Sequence, residues 1–598
     1  MNLPESTTTR TAGGLDFTAK GGKRQGREVP RSLRVKPGAK HPVWKAQSYQ
    51  TLLQPSPISR MMQTLKPVIG VALAWSFLNV LLNLRYPAPQ ESLESLLLVS
   101  PAALFIIVVL CIATALKWPF NRSLFWVLTL IVVFMRLFRS ADELVPMYFF
   151  RPFNLYIDAQ FVPVLIRLLY KTMPLKTFWL YSGAGILLMT AITAGTWWSI
   201  RAIHQTLTRR QRALVIVAVI AAALAAPLLL SRAWRARPLP IFTPGFSHRI
   251  AQEIDFILHA RGYRSQNMQS IRQTAAELDQ TPSSLDRLRG ANVYIIFIES
   301  YGQTVFDDNH HLSLILPVLT RFELDFADRG FAVRSGFLRS PAFGGSSWLA
   351  HGTIASGVDL SDQLVYDLLI TSEATTIAPL FKQAGYRTIS VMPANEIPWP
   401  QGDFFGYQKH YYARDFQYRG PRFGWSPMPD QYVLEFIYRQ EILPRKQPLF
   451  IEFVLISSHA PFNRQPPYLK DWSQIGDGSI YHRKETITFP VVWPDLTNAA
   501  EAYISAIIYE MTVIKKFIEQ YVDDDTLIII MGDHQPNVQI TGPDSTWSVP
   551  VHVISRNKQF LEPFEKKGYT PGLVPKQPPP HPGMETFLPN FLKAFSTN

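Results

Sequence analysis

Glu299, Ser346, His459, Asp533 and His534 stand where strand-like apolar runs give way to polar sequence, which is where an α/β enzyme places a metal site. Carboxylates and an imidazole bind a divalent cation while leaving room for a hydroxyl and a phosphoryl oxygen. A serine hydroxyl is a poor nucleophile at neutral pH, and such an ion lowers its pKa and orients it. The ion also offsets charge building on a transferring phosphorus, while a nearby histidine protonates a leaving oxygen or holds a substrate oxygen. Taken singly, each residue has a plainer reading, since a Glu at a strand end is usually a solvated cap and Gly-Asp-His is usually a turn. Their shared placement is what favours chemistry.

Three apolar runs supply the positioning strands. NVYIIFIESYG is apolar and β-branched from Val293 to Ile298 and ends on Glu299; TLIIIMGDHQP is apolar from Leu527 to Met531 and presents Asp533 and His534; LFIEFVLISSHAPF delivers His459. Such runs read as buried parallel strands. Ligands of open α/β sheets bind beyond the carboxyl ends of the strands, so the three polar endings should converge on one crevice. In SPAFGGSSWLAHGTIASG, Gly344 and Gly345 permit a tight turn, and the serines after them open a helix. A hydroxyl there lies beside free backbone N–H donors and the positive end of the helix dipole. Ser346 and Ser347 both qualify, and the spacing does not choose between them.

This order of motifs, a Glu after a strand, a GGS turn, SSHAPF and then GDHQP, resembles the alkaline phosphatase/sulfatase superfamily. More narrowly it is similar to the membrane-bound phosphoglycerol and phosphoethanolamine transferases, of the lipoteichoic acid synthase kind. The resemblance covers roughly the C-terminal half. It implies one divalent metal, Mn²⁺ preferred with Mg²⁺ or Zn²⁺ possible, bound by Glu299, Ser346, Asp533 and His534. It implies Ser346 as nucleophile and His459 as the catalytic histidine at the substrate head group, with Trp399, Ser347 and His351 on the substrate side. His310, His311, His410, His482 and His552 read as surface or packing histidines, and Asp523 to Asp525 as a solvated turn.

Two departures narrow the substrate. The single cysteine, Cys111, falls in an apolar segment, so no disulfide stabilises the soluble half, unlike the lipid A phosphoethanolamine transferases of the group. In EIPWPQGDFFGY, Gln401 stands where lipoteichoic acid synthases carry an Arg after Trp399. Loss of a bidentate guanidinium argues against polyglycerolphosphate synthesis. Transfer of one phosphoglycerol or phosphoethanolamine group from a membrane phospholipid to a glycan or lipid acceptor fits what remains. The alternatives are a phosphoester hydrolase of the same fold, or a non-enzymatic membrane regulator that would be expected to have lost metal ligands.

The N-terminal half places this chemistry at a membrane. Five apolar segments read as spans, near Val68–Leu84, Leu96–Leu116, Leu124–Leu137, Phe178–Trp198 and Ala213–Leu230, the third being the shortest. The expected fold class is therefore a five-span α-helical transmembrane domain plus a C-terminal α/β sulfatase-like domain with a mostly parallel central sheet. Residues 1–63 read as a disordered basic cytoplasmic tail; up to Lys66 the chain has twelve Lys/Arg against three Asp/Glu. Residues 64–231 hold the spans and an interfacial amphipathic helix near 153–171. A juxtamembrane connector follows at 232–287, and the catalytic domain at 288–598. Arg209 and Arg210, and Lys117 and Arg122, are cytoplasmic by the positive-inside rule, so the catalytic domain faces the periplasm or cell exterior of a bacterial cytoplasmic membrane. The net charge of +14 follows from this topology and implies no nucleic acid. Oligomeric state is left open.

Overall fold

A computed structural model describes residues 57–84, 98–230, 247–396, 399–491 and 495–597; the predicted tail, apart from its last seven residues, lies outside them. Residues Lys66–Asn598 form one compact unit. The membrane half comprises α1 (Pro57–Asn83), α2 (Pro101–Ala115), α3 (Arg122–Phe149), α4 (Val162–Thr172), α5 (Leu175–Arg209) and α6 (Gln211–Leu230). Among the described residues, three helical segments are long and apolar enough to cross a bilayer, Lys66–Asn83, Arg122–Phe149 and Leu175–Arg209, fewer than the five expected.

The reasons are local. Ser100 caps α2 by accepting from the Ala103 N–H, and Pro101 sits at the first helical position, so the helix begins after the apolar residues that extended the predicted span. Its 15 residues reach about 22 Å at about 1.5 Å per residue, short of a bilayer core of about 30 Å. The shortest predicted span does the opposite: α3 runs 28 residues, continuing through SADELVPMYF with Pro146 inside it, beyond the point where the hydropathy falls. The expected interfacial helix is divided. Asp158, paired with Arg151 at 2.5 Å and accepting from the Asn154 N–H, holds a short turn at Leu155–Asp158, and regular helix starts only at α4, whose Val162, Val164, Leu165, Ile166 and Tyr170 are exposed.

The connector is mostly one 33-residue helix, α7 (Ser247–Asp279). Beyond it lies an eight-stranded sheet of β1 (Asn292–Ile298), β2 (Ala332–Arg339), β3 (Arg387–Met392), β4 (Lys409–Tyr412), β5 (Leu449–Leu455), β6 (Thr526–Gly532), β7 (Ser548–Ser555) and β8 (Thr570–Pro571). Its order is β8-β2-β7-β6-β1-β5-β3-β4. The segment from β6 through β4 is parallel, and β2, β7 and β8 add antiparallel pairings at one side. Every residue of β1 and β6 is buried, as expected of strands covered on both faces. On one face pack α8 (Asn309–Asp328), α12 (Asp430–Ile437) and α13 (Ala500–Tyr521); on the other lie α9 (Ser347–Ser356), α10 (Gln363–Leu369), α11 (Ile377–Gln383) and α14 (Phe587–Phe595). The register aligns Ile298 with Leu455 on one side and with Gly532 on the other. The residues that follow these three positions therefore emerge at one edge.

Candidate metal centre

Glu299 and Asp533-His534 leave adjacent strands at that edge and are 5 %, 1 % and 1 % exposed. One ligand atom from each lies within 4.8 Å of the others. Asp533 Oδ1 accepts from the N–H of Ser300 (2.8 Å) and of His534 (2.7 Å), while its Oδ2 is buried with no hydrogen-bond partner. His534 Nδ1 lies 2.7 Å from the Gln535 carbonyl oxygen. With Nδ1 on that carbonyl, the ring directs Nε2 toward Glu299 Oε1 at 3.2 Å.

The hydroxyl that enters this group is Ser347's. Its Oγ donates to Glu299 Oε2 at 3.0 Å and lies 3.2 Å from His534 Nε2. Ser346, expected as ligand and nucleophile, precedes α9 in the left-handed conformation with φ of 64° and makes no side-chain capping bond. Its carbonyl accepts from the Leu349 N–H at 2.9 Å and starts the helix. Reversal of the backbone at Ser346 hands the inward position to the next residue, so it is the Ser347 hydroxyl that lies against Glu299 and His534. The α9 N-terminus adds a positive dipole end beside the hydroxyl.

Electrostatics mark the group as short of positive charge. Burial raises the Asp533 carboxyl, and the neighbouring Glu299 charge raises it further, to about 7. Burial acts on Glu299 too, but the His534 hydrogen bond and charge outweigh it and hold Glu299 well below the carboxylate range. Burial lowers the His534 imidazole; Asp533 and Glu299 outweigh that and lift it to about 9. An orphaned carboxylate oxygen, an aimed imidazole nitrogen and protons gathered on buried acids fit a divalent cation, which replaces such protons on binding.

His459 follows β5 on the loop Ile456–Ser457–Ser458. Its Nδ1 lies 2.6 Å from the Ala460 carbonyl oxygen, and its ring is stacked on Trp425 at 5.3 Å and 12°. Ser458 Oγ donates to the Glu299 carbonyl at 2.7 Å, tying this loop to the metal edge. Trp399 and His351 are brought together elsewhere. They line a cavity of about 10 Å³ with Tyr407, His410 and Glu452, beneath α9. The His351 ring packs on Phe297 at 4.3 Å, its Nε2 has no partner, and burial pushes it down to about 4. His351 stands outside the metal-holding group. His552 is a packing histidine between Tyr301 and Ser335, and Asp523 pairs with Arg445 in a structural turn.

The membrane half supplies a wall that sequence reading missed. α3 ends with Phe150 in the left-handed conformation, and that ring packs on Phe343 (4.9 Å) and Trp547 (6.3 Å). A Cβ on Gly344, at φ of 68°, would strike the Tyr148 carbonyl oxygen, and one on Gly345 would meet the Phe149 ring at 3.0 Å. The glycines are thus needed for close approach as well as for the turn. Trp348, next to the nucleophile candidate, meets Phe161 at 6.0 Å.

A Sulfatase family model matches residues 359–562, a stretch holding Trp399, His459, Asp533 and His534, in line with the superfamily that the motifs resemble. No curated protein matches the chain. Solved structures with a similar fold include the lipoteichoic acid synthase LtaP from Listeria monocytogenes, at 14 % identity and TM-score 0.34, covering 54 % of this chain and 80 % of that one. Streptococcus pyogenes phosphoglycerol transferase GacH, in complex with sn-glycerol-1-phosphate, gives 12 % and 0.33, covering 55 % and 91 %. The integral membrane lipooligosaccharide phosphoethanolamine transferase A from Neisseria meningitidis gives 12 % and 0.45, covering 87 % and 95 %.

Proposed function

We propose that this protein is a metal-dependent transferase that moves a phospho-head group, phosphoglycerol or phosphoethanolamine, from a membrane phospholipid to a glycan or lipid acceptor outside a bacterial cytoplasmic membrane. The observation that carries the reading is the Ser347 hydroxyl, held at a helix N-terminus between Glu299 Oε2 and His534 Nε2.

Glu299, Asp533 and His534 would hold one divalent ion, Mn²⁺ by preference, which when bound supplies the charge that acidifies the serine hydroxyl and offsets phosphoryl charge. Ser347 Oγ attacks phosphorus as its proton leaves along the hydrogen bond to Glu299. The bond from phosphorus to the diacylglycerol oxygen breaks, and His459 gives that oxygen a proton. An acceptor hydroxyl then attacks the phosphoserine as His459 takes its proton, the bond from phosphorus to Ser347 Oγ breaks, and Glu299 returns its proton to that oxygen. The α9 N-terminus binds a phosphoryl oxygen throughout. The α3 end and α4 lie on the lipid side, so the donor enters from the membrane and the acceptor from the exterior.

Incubation of the full chain with Mn²⁺ and labelled phosphatidylglycerol or phosphatidylethanolamine, followed by peptide mass spectrometry, tests this. A head-group adduct on Ser347, absent from Ser347→Ala and retained in Ser346→Ala, is the expected result, and its mass names the donor. An adduct on Ser346 would reverse the assignment of the nucleophile, and free head group without labelled acceptor would make the protein a hydrolase.

A further inference from the structure

Behind the His459 loop lies a second pair of buried acids with no part in the chemistry above. Asp430 opens α12 and Glu510 sits in the middle of α13, each 0 % exposed. Asp430 Oδ2 accepts from the N–H of Ile456 at 2.8 Å and of Ser457 at 2.6 Å. Ser457 Oγ in turn accepts from the Asp430 N–H at 3.1 Å. The loop is thus gripped on one side by Asp430 and on the other by the bond from Ser458 to the Glu299 carbonyl. His459 follows at once, its N–H closing a turn onto the Ile456 carbonyl at 3.1 Å.

The two carboxyls interact directly, yet Asp430 Oδ1 and both Glu510 oxygens make no well-formed hydrogen bond. Two buried carboxylates in direct interaction do not both ionise, and a single O–H···O bond between them gives a partner to one orphaned oxygen on each residue while leaving Asp430 anionic for its two N–H donors. Burial and then the Asp430 charge push Glu510 well above the carboxyl range. Burial raises Asp430 as well, against the bonds it accepts. The other titratable group in electrostatic contact with the pair is the phenol of Tyr509, on α13 itself, with the Tyr481 phenol of the turn Ser479–Arg483 beside Tyr509; burial raises both phenols.

We propose that Asp430 and Glu510 share one proton and act as positioning residues, clamping the Ile456–His459 loop so that His459 faces the reacting phosphoryl group. The inference rests on the role given to His459 under Proposed function. When the shared proton is lost at alkaline pH, two like charges face each other in the core, the grip on the Ile456 and Ser457 amides loosens, and His459 departs from its working position.

Two readouts on the full chain test the clamp. The first is hydrogen exchange of peptides covering 449–463, corrected for intrinsic rate, from neutral into alkaline pH. The second is kcat and KM for head-group release over the same range, with bound metal measured alongside. In the wild type, exchange should accelerate and kcat fall together, with KM and metal content steady. Glu510→Gln, which keeps a neutral donor toward Asp430, should abolish that alkaline transition in both readouts. Asp430→Asn should raise exchange at every pH and lower kcat about tenfold. Superimposable alkaline transitions in wild type and Glu510→Gln would overturn the clamp, as would wild-type exchange that shows no transition. The exchange experiment needs no turnover, so absence of any Ser347 adduct would remove the proposed reaction without deciding the clamp.

Discussion

The chain buries two clusters of carboxyls within one domain, and they meet the same electrostatic problem in different ways. Glu299 and Asp533 share their site with His534 and the Ser347 hydroxyl at a strand edge. Asp430 and Glu510 are fully buried on α12 and α13; Asp430, like Asp533, holds one oxygen on two backbone N–H donors, but the neighbour it faces is a second carboxyl. An imidazole and a hydroxyl beside the first pair suit the divalent cation proposed above, whereas a second carboxyl as the facing neighbour suits the other pair to a shared proton. Burial alone therefore does not mark a metal site; the identity of the remaining neighbours does.

The contrast is sharpened first at the nucleophile. Ser347→Ala should lower head-group transfer on the order of 10³-fold or more, while Ser346→Ala should stay within a fewfold of wild type, measured by labelled product formation. Metal removal comes next: chelation should abolish transfer, and re-adding Mn²⁺ at about 100 times its dissociation constant should stabilise the domain by about 2.7 kcal/mol, seen as a rise in Tm. Asp533→Asn should lose that rise. Glu510→Gln should keep it, and equal loss in both variants would erase the distinction between the two clusters.

The pH dependence of stability separates the clusters further. Glu510 has its folded pKa raised above the ordinary 4.5, so the folded state binds more protons than the unfolded one. Its stabilising contribution is full below that ordinary value and is lost as pH rises through the folded pKa, at up to about 1.4 kcal/mol per pH unit. In denaturant titrations at several pH values, Glu510→Gln should flatten this alkaline decline, and an unchanged slope would count against the shared proton. The smallest effect concerns the wall from the membrane half. Gly344→Ala forces a side chain into the left-handed region against the Tyr148 carbonyl and should cost about 1–3 kcal/mol of stability, with transfer reduced and Mn²⁺ affinity kept.

The metal edge was legible in the sequence because strand-end residues are local in pattern and convergent in space. Glu299, His459, Asp533 and His534 each follow an apolar run, and the parallel register brings those ends together whatever their separation in the chain. Ser347 could not be separated from Ser346 in that way, since a one-residue backbone reversal leaves no mark on composition. Asp430 and Glu510 were missed for a different reason. Their partners are main-chain amides, which every residue carries, and the one available signal was a lone carboxylate on the apolar face of α13. The membrane helices were misjudged in length because hydropathy says where apolar residues lie, whereas Ser100 and Pro101 say where a helix starts. Contacts such as Tyr148 with Gly344 join segments far apart in the chain and have no sequence pattern of their own.

The join between α3 and the Gly344–Gly345 turn also acts as a ruler. The turn that precedes the proposed nucleophile rests on the last turn of α3, a helix long and apolar enough to cross a bilayer, so that contact fixes the distance between the two. Under the proposed function, phosphates at lipid head-group depth would come within reach, and those carried on tall or distant polymers would not unless their acceptor ends were delivered to the surface. Cutting the soluble domain free from α3 would leave the metal edge whole and remove the scale that tells it which phosphates to accept.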